Sequence, residues 1–432
     1  MLEMRVLMAH IDDPDQCSID TYERNGGYQA IRKTIPHIAP GNLIEMVKQA
    51  GLRGRGGAGF STGLKWSFVP KDSSLPKYLV CNCDESEPGT FKDRLLIEKD
   101  PHQLIEGIIL ASYAINAHTA FIYCRGEFFE GIAKLRQAVI EAKNRGYIGA
   151  KVLGTNYSLE IIVHPGAGAY IAGEETAQLT SLEGYRATPK LKPPFPAVAG
   201  LYRKPTIINN VETLCNVVHI VNRGVDWFQS IGKPKNNGTK IFQVSGHVQK
   251  PGCYEFPFGI TLRETLQAAG GMLPGRYFKA CYPGGSSCAL LTANDIDISI
   301  DFETLAARGT MLGTASFIVM DNTADMVKVA HRLMVFYQNE SCGKCTPCRE
   351  GTRWMVQVLA RIEAGKGTYE DLKVIDQVCT HMAANSFCPL AAGAAPPVVS
   401  AIKEFRGEFE AYISRNPNAD RRPQMAIAYP YL

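Results

Sequence analysis

Residues 78–124 read YLVCNCDESEPGTFKDRLLIEKDPHQLIEGIILASYAINAHTAFIYC, and this stretch decides the fold class. A β-rich run, Tyr78 to Cys83, gives way to a helical pattern with Leu104, Ile108, Ala111 and Ile115 on one face. Thr119 to Cys124 then returns to β-formers. Asp100 before Pro101 has the form of a helix start, an N-cap followed by proline at the first helical position. Upstream, GNLIEMVKQA (41–50) reads as a short helix; downstream come a helix near 127–145 and an apolar strand at 159–163. Such alternation predicts an α/β sandwich around a largely parallel sheet.

The α/β domain is expected to end near 239. Within it the proline-rich stretch 190–204 (containing PPFPAVAG) is predicted to be an ordered, irregular surface loop, and GKPKNNGTK (232–240) to be a linker. Beyond it, a strand at 241–244, the turn Pro251-Gly252, a strand near Tyr254 and a helix over 261–269 closed by Gly270-Gly271 make a small α+β module. The final hundred residues change character. Met326, Val329, Leu333 and Phe336 share one helical face, as do Trp354, Val358 and Ile362, and Leu372, Ile375, Cys379 and Met382. A fourth set, Val398, Ile402, Phe405 and Phe409, follows Pro396-Pro397, so a four-helix bundle is the simplest way to bury these stripes. The expected division is an N-terminal extension (1–40), the α/β domain (41–239), the small module (240–325) and the bundle (326–432).

Composition excludes more than it assigns. The chain has 432 residues, 45% of them apolar, so several domains with ample cores are expected. Its net charge of +4 is a weak bias, and without a dense Lys/Arg run it gives no support for nucleic acid or lipid headgroups. The start, MLEMRVLMAHIDDPD, has no charged leader before an apolar core, and no segment approaches about 18 uninterrupted apolar residues, so neither export nor a membrane span is predicted. Thirteen cysteines in such a chain read as metal ligands or buried thiols rather than disulfides.

The strongest chemical signal is SCGKCTPCREG (341–351). Thiolates at Cys342, Cys345 and Cys348 suit one face of a [4Fe–4S] cubane. Cys388, followed by proline, is the best fourth ligand, because a Cys-Pro pair closes the common ferredoxin motif; Cys379 competes but falls on an apolar stripe. Structural zinc usually takes two separated cysteine pairs, a spacing not seen here. Lys344 and Arg349 would offset cluster charge, or simply be solvated.

In GRGGAGF (54–60), Gly54, Gly56 and Gly59 fit the dinucleotide pattern G-x-G-x-x-G, with Gly57 between them. A helix rather than a strand precedes the loop, so the ordinary Rossmann reading fails. What survives is close approach of backbone amides to a phosphate or a flat ring. Arg55 and Lys65 add positive charge, while Phe60, Trp66 and Phe68 offer either stacking surface or core. CNCDESEPGTFKDR (81–94) places Asp84, Glu85 and Glu87 just past a strand end, where open α/β sheets bind ligands. HPGAGAYIAGEETA (164–177) combines Gly166, Gly168 and Gly173 with Tyr170 and a helix start at Glu174 and Glu175, which could also be mere dipole complements. Asn209, Asn210, Glu212 and Thr213 look like a helix start able to hold a phosphate.

The segment VSGHVQKPGCYEFPFGITLRETLQAAGG (244–271) resembles the soluble-ligand-binding β-grasp domain, a ubiquitin-like fold. Taken together, GRGGAGFSTGLKW, CNCDESEPGTFKDR, GAGAYIAGEETA, KPPFPAVAGLYRKPTIINNVETL and ESCGKCTPCREG closely resemble the NADH-binding flavoprotein subunits of respiratory complex I, over about 41–405. The resemblance implies a Rossmann-like FMN- and NADH-binding sandwich, a β-grasp domain and a cluster-bearing four-helix bundle. It implies that hydride passes from NADH to FMN and single electrons to a [4Fe–4S] cluster on Cys342, Cys345, Cys348 and Cys388.

By the same resemblance Gly54, Arg55, Gly56, Lys65, Asn82, Asp84, Gly173, Glu175, Asn209, Asn210 and Thr213 contact FMN. Phe60, Phe68, Glu87, Glu174, Lys192 and Phe195 contact NADH, with Gly57, Gly59, Gly166 and Tyr170 in the same cofactor-binding set. No acid–base residue is needed at the hydride step; Glu174 and Glu175 would act by opposing build-up of negative charge on reduced flavin. The one departure from the family pattern, the run FCPLAAGAAPPV (387–398), puts no ligand in doubt. Implied partners are a small thioredoxin-like [2Fe–2S] subunit and a large multi-cluster subunit, on the cytoplasmic face of the inner membrane and without direct membrane contact. The diaphorase subunits of NAD-linked hydrogenases and formate dehydrogenases resemble the same core. A non-catalytic β-grasp binding protein would account for 240–325 but not for the cysteines or the glycine loops.

Overall fold

The structure is a computed structural model that describes residues 3–71 and 74–420; residues 421–432 of the expected bundle domain lie outside the described residues. Four parallel strands, β1 (Tyr78–Cys83), β2 (Thr119–Cys124), β3 (Glu160–Pro165) and β4 (Thr206–Asn210), form a sheet of order β3-β2-β1-β4. Helices α1 (Pro40–Gln49), α2 (Pro101–Ile115), α3 (Phe129–Asn144), α4 (Glu175–Leu182) and α5 (Val211–Arg223) accompany it. Asp100 caps α2 by accepting a bond from the Gln103 amide at 3.4 Å, with Pro101 in the first turn. The chain leaves β1 toward β2 on one side and later returns to β4 on the other. That reversal opens a crevice at the C-terminal ends of β1 and β4, where such sheets bind ligands.

Two stretches are more regular than expected. The loop 190–204 holds a helical turn at Pro196–Ala199 and a 3₁₀ turn at Leu201–Arg203; Pro196 opens the helical turn, where its missing N–H costs nothing. Residues 232–240 are a packed ribbon rather than a free tether. Gly232–Lys233 pairs antiparallel with Asn236–Asn237, and the Asn237 side chain donates to the Ala50 carbonyl at 2.9 Å.

The small domain follows as β5 (Thr239–Gly246), β6 (Gly252–Pro257), α6 (Leu262–Ala268), β7 (Phe278–Tyr282), β8 (Leu291–Thr292) and β9 (Ser316–Asp321). Its sheet order is β8-β7-β9-β5-β6, with β9 parallel to β5 at the centre. A capping box between Thr261 and Glu264 starts α6, and Phe242, Phe256 and Phe317 fill the core beneath it.

The bundle comprises α7 (Met326–Glu340), α8 (Thr346–Glu363), α9 (Tyr369–Ala384) and α10 (Pro389–Glu404), followed by α11 (Arg406–Ile413). The fourth apolar set does not start a helix after Pro396-Pro397 as expected. Both prolines lie inside α10, which begins at Pro389, and Phe409 belongs to α11. An interior proline crowds the residue four positions back; here those residues are Ala392 and Gly393, with almost no side chain. The bundle core takes in Ile171, Ala177, Ala280 and Tyr282, so the three domains share packing.

The extension before α1 is folded into the other domains through two buried carboxylates. Glu255 on β6 accepts the Val6, Leu7 and Met8 amides at 2.8–3.0 Å. Glu106 on α2 accepts the Tyr28 and Ala30 amides and the Tyr22 hydroxyl.

Candidate functional site

The crevice past β1 and β4 opens into a cavity of about 570 Å³, in the range of small-molecule sites. One wall is the glycine loop at Gly56, Gly57 and Ala58; a second is the acidic segment from Asn82 and Asp84 to Glu87; a third is Tyr170, Gly173 and Glu174; Asn210 closes the floor. Gly56 is required sterically, since a Cβ there would lie 2.9 Å from the Asn210 Cβ, whereas a Cβ on Gly57 would meet nothing. Nine residues expected to bind cofactor therefore share one space: Gly56, Gly57, Asn82, Asp84, Glu87, Tyr170, Gly173, Glu174 and Asn210.

Two further walls were not expected from sequence. The β-grasp domain contributes Gly284, Ser287, Thr310 and Thr314, and α10 contributes Pro389, Leu390, Gly393 and Pro396. The small-residue loops GGSS (284–287) and GTMLGT (309–314) carry a signal of the same kind as the glycine loops; β-propensity and turn signals masked it.

The carboxylates differ in their commitments. Among the described residues Asp84 Oδ2, on the cavity wall, is buried without a partner, and burial, opposed by Arg125, pushes this carboxyl up to about 7. Glu85 is taken up as a helix cap, accepting the Asp93 and Arg94 amides at 2.8 and 2.9 Å. Glu87 accepts the Ser287 amide and Ser286 hydroxyl at 2.9 Å and the Tyr170 hydroxyl at 2.7 Å, and burial raises its carboxyl above the usual range. Glu174 is the N-cap of α4, accepting the Thr176 and Ala177 amides at 2.9 Å. Burial works against the Glu175 carboxylate, but Lys65 at 3.2 Å and Lys192 at 2.6 Å outweigh it and hold it below its ordinary value.

The remaining expected residues lie outside the cavity lining. Phe60 and Phe68 form an exposed pair with ring centroids 6.2 Å apart, and Phe195 is exposed, while Trp66 is core and donates to Asn209 at 2.7 Å. The Gly54 amide closes the loop on the Phe60 carbonyl at 2.8 Å. Gly59 packs on the Phe302 ring and Gly166 on Tyr123, so these two glycines serve close approach within the protein. The Arg55 amide donates to the Thr213 hydroxyl at 2.8 Å; its guanidinium turns to the Asn237 carbonyl and the Phe258 ring.

The four cysteines gather at two helix starts. Cys345 is the N-cap of α8 and Cys348 lies in its first turn, while Cys388 is the N-cap of α10. Burial raises the Cys348 thiol and pushes Cys388 up to about 11, and both also feel Cys342 and Cys345, which places all four in one electrostatic neighbourhood. Cys379 is buried against Met355, apart from the set. Among the described residues no three Cys, His, Asp or Glu side chains converge as ligands of a single metal ion. Four soft thiolates with two helix N-termini aimed at them fit an anionic cubane, whose ligands each take a different iron. Lys344 locks this loop to the first domain, donating to the Pro189 carbonyl at 2.8 Å and lying over the Phe387 ring; Arg349 donates to the Gly343 carbonyl at 2.7 Å.

Residues 47–219 match the model of the Nuo51 FMN-binding domain, 241–289 the SLBB domain, and 328–412 the NADH-ubiquinone oxidoreductase-F iron–sulfur binding region. The second F-type subunit of NADH-quinone oxidoreductase in Rhizobium meliloti (strain 1021) is 53% identical, over 94% of this chain and 97% of its own length. The F-type subunit of the Escherichia coli (strain K12) enzyme is 48% identical, over 94% and 92% respectively. The chain belongs to the F-type subunits of NADH-quinone oxidoreductase. Among solved structures, an NAD+-reducing [NiFe]-hydrogenase in the H2-reduced state superposes with a TM-score of 0.84 at 35% identity, over 95% of this chain and 67% of that one. The fold of this NADH-quinone oxidoreductase component is thus the Rossmann-like core, β-grasp domain and helical bundle expected from sequence, with an FMN-binding domain and a [4Fe–4S]-binding region. No helix among the described residues is long and apolar enough to cross a membrane.

Proposed function

We propose that the cavity seats FMN against Gly56, Gly57, Asn82, Asp84, Gly173 and Asn210, that NADH enters over it toward Glu87 and Glu174, and that the four cysteines hold the cluster. One observation carries this reading: Cys388 is the N-cap of helix α10, whose first turns, Pro389 to Pro396, are a wall of the cavity. When bound, the flavin accepts two electrons as a hydride from nicotinamide and the cluster takes electrons singly. The chain positions these groups and excludes water. The Asn82 amide fixes the Gly173 carbonyl at 2.8 Å, and Lys65 and Lys192 anchor Glu175 beside the cavity.

Gly54, Arg55, Gly57, Gly59, Lys65, Tyr170, Asn209 and Thr213 support this site, several of them from behind its walls. Glu174 and Glu175 oppose negative charge beside the reduced flavin. The domain division at 40, 239 and 325, the small [2Fe–2S] and large multi-cluster partner subunits, and a peripheral place on the cytoplasmic face of a membrane complex complete the proposal. Anaerobic reconstitution with FMN, iron and sulfide tests it: NADH then bleaches the flavin absorbance and elicits the reduced-cluster signal. Flavin that binds without being bleached would overturn the assignment.

Phe195 is exposed beside Lys192 at the start of the helical turn Pro196–Ala199, free to stack on a nicotinamide or adenine ring. Phe195→Ala weakens NADH binding by about 1–3 kcal/mol, the scale of one stacked aromatic; titration of flavin quenching by NAD+ reads it, and unchanged affinity removes Phe195 from the site. Glu87 sets the preference for NADH, because its carboxylate would face the 2′-phosphate of NADPH. Glu87→Gln therefore raises NADPH turnover relative to NADH by about tenfold or more, ~1.4 kcal/mol. Glu85 is the rival; it also lines the cavity, its oxygens held by the Asp93 and Arg94 amides as those of Glu87 are by Ser286, Ser287 and Tyr170. Ratios of kcat/KM with ferricyanide as acceptor, compared for Glu87→Gln and Glu85→Gln, separate the two.

A further inference from the structure

One layer behind the cavity wall lies a cluster of buried charges. Lys92, Glu212 and Lys240 are fully buried and Arg55 is 1% exposed. The Lys92 ammonium spends its three donors on Asp93 at 2.7 Å, Glu212 at 3.1 Å and the side-chain carbonyl oxygen of Asn210 at 3.1 Å. Lys240 pairs with the same Glu212 oxygen, and the other accepts the Ile241 amide at 3.0 Å. Asp93 completes the ring by accepting from the Asn210 side-chain amide at 2.6 Å. Asn210 is therefore held at both ends, and Gly56 is seated on it.

The cluster does not balance. Arg55, Lys92 and Lys240 face Asp93 and Glu212, and two guanidinium nitrogens of Arg55, Nε and Nη1, are buried without a partner among the described residues. Glu85 adjoins the cluster through the Asp93 amide and the buried Glu255 acts on Arg55; burial pushes each carboxyl up to about 7, so each offsets the excess only in part. Burying unmatched charge costs stability unless something answers it. Asp93, Asn210, Gly56 and Gly57, which bound the cluster, are themselves cavity wall.

We propose that this buried cationic excess presets a positive field for a phosphate monoester bound against Gly56, Gly57 and Asn210, and that Lys92 is the positioning residue that orients Asn210 toward it. The inference rests on the flavin reading of the cavity and identifies which end receives the phosphate. It makes the preference for FMN over riboflavin a property of residues that touch neither.

The test is binding of FMN and of riboflavin to the deflavinated full chain, followed by flavin fluorescence. Lys240→Met, remote from Asn210, lowers the FMN-to-riboflavin affinity ratio about tenfold by removing one charge. Lys92→Met lowers it further, since Asn210 is also released. Lys240→Met with Glu212→Gln restores the charge excess, keeps an acceptor for the Ile241 amide, and restores the ratio. If Lys240→Met fails to fold, Lys92→Met decides, and its ratio must fall below that of wild type. A purely structural cluster would weaken both flavins equally, leave the ratio unchanged and show no recovery in the double variant, and any of these results overturns the proposal. Failure of the flavin reading itself is distinct: wild type would then bind neither flavin.

Discussion

Cys388→Ser abolishes the electron paramagnetic resonance signal of the reduced [4Fe–4S] cluster, while Cys379→Ser leaves it intact. Sequence left these two cysteines as rivals for the fourth ligand position. In the structure Cys388 is the N-cap of α10 and shares an electrostatic neighbourhood with Cys342, Cys345 and Cys348, whereas Cys379 packs on Met355 in the bundle core. A serine oxygen is a poor substitute for a soft thiolate on iron, so the effect is loss of the cluster rather than a shift in its signal. Cys345→Ser has the same outcome and is the better variant for asking whether FMN stays bound, because α10 is also a wall of the flavin cavity and α8 is not. Iron content and low-temperature spectra of dithionite-reduced protein read all three. An intact signal in Cys388→Ser with its loss in Cys379→Ser would reverse the assignment.

Glu212→Ala lowers the stability of the folded chain by about 3–5 kcal/mol, the usual cost of removing one partner from a buried ion pair. Glu212 is held ionised in the interior because Lys240, Lys92 and Arg55 outweigh the effect of burial, and its loss strands the Lys240 ammonium and takes one of the three acceptors of Lys92. The urea midpoint of the flavin-free chain measures it. A change within about 0.5 kcal/mol, ordinary for a surface site, would show that the lysines find other acceptors.

Much of this arrangement is legible in the residues. Alternation of strand and helix gives the parallel sheet, and the three-cysteine loop at 342–348 announces the cluster. Gly56 advertises the cavity because Asn210 leaves no room there for a side chain. What sequence does not carry is the assembly of walls from distant segments. Ser287 and Thr314 reach the same space as Asp84 only because the β-grasp domain packs against the sheet edge. Nor does periodicity reveal that α10 starts ahead of its two prolines, since a helix lined with alanine and glycine tolerates rings that a bulkier one would not. The charged residues mislead in the other direction: Arg55 reads as a loop cation facing a ligand, yet its side chain turns inward to Asn237 and Phe258.

The carboxylate of Glu255 receives the amides of residues 6–8 across a sequence separation of 248 at Leu7. During synthesis at about 5–20 residues per second, that acceptor emerges roughly 12–50 s after the amides it will satisfy. Throughout this interval Val6, Leu7 and Met8, all buried in the finished fold, remain without their site. The N-terminal segment can therefore complete its docking only after β6 of the second domain has been made, which leaves the first stretch of the chain synthesised among the last to be seated.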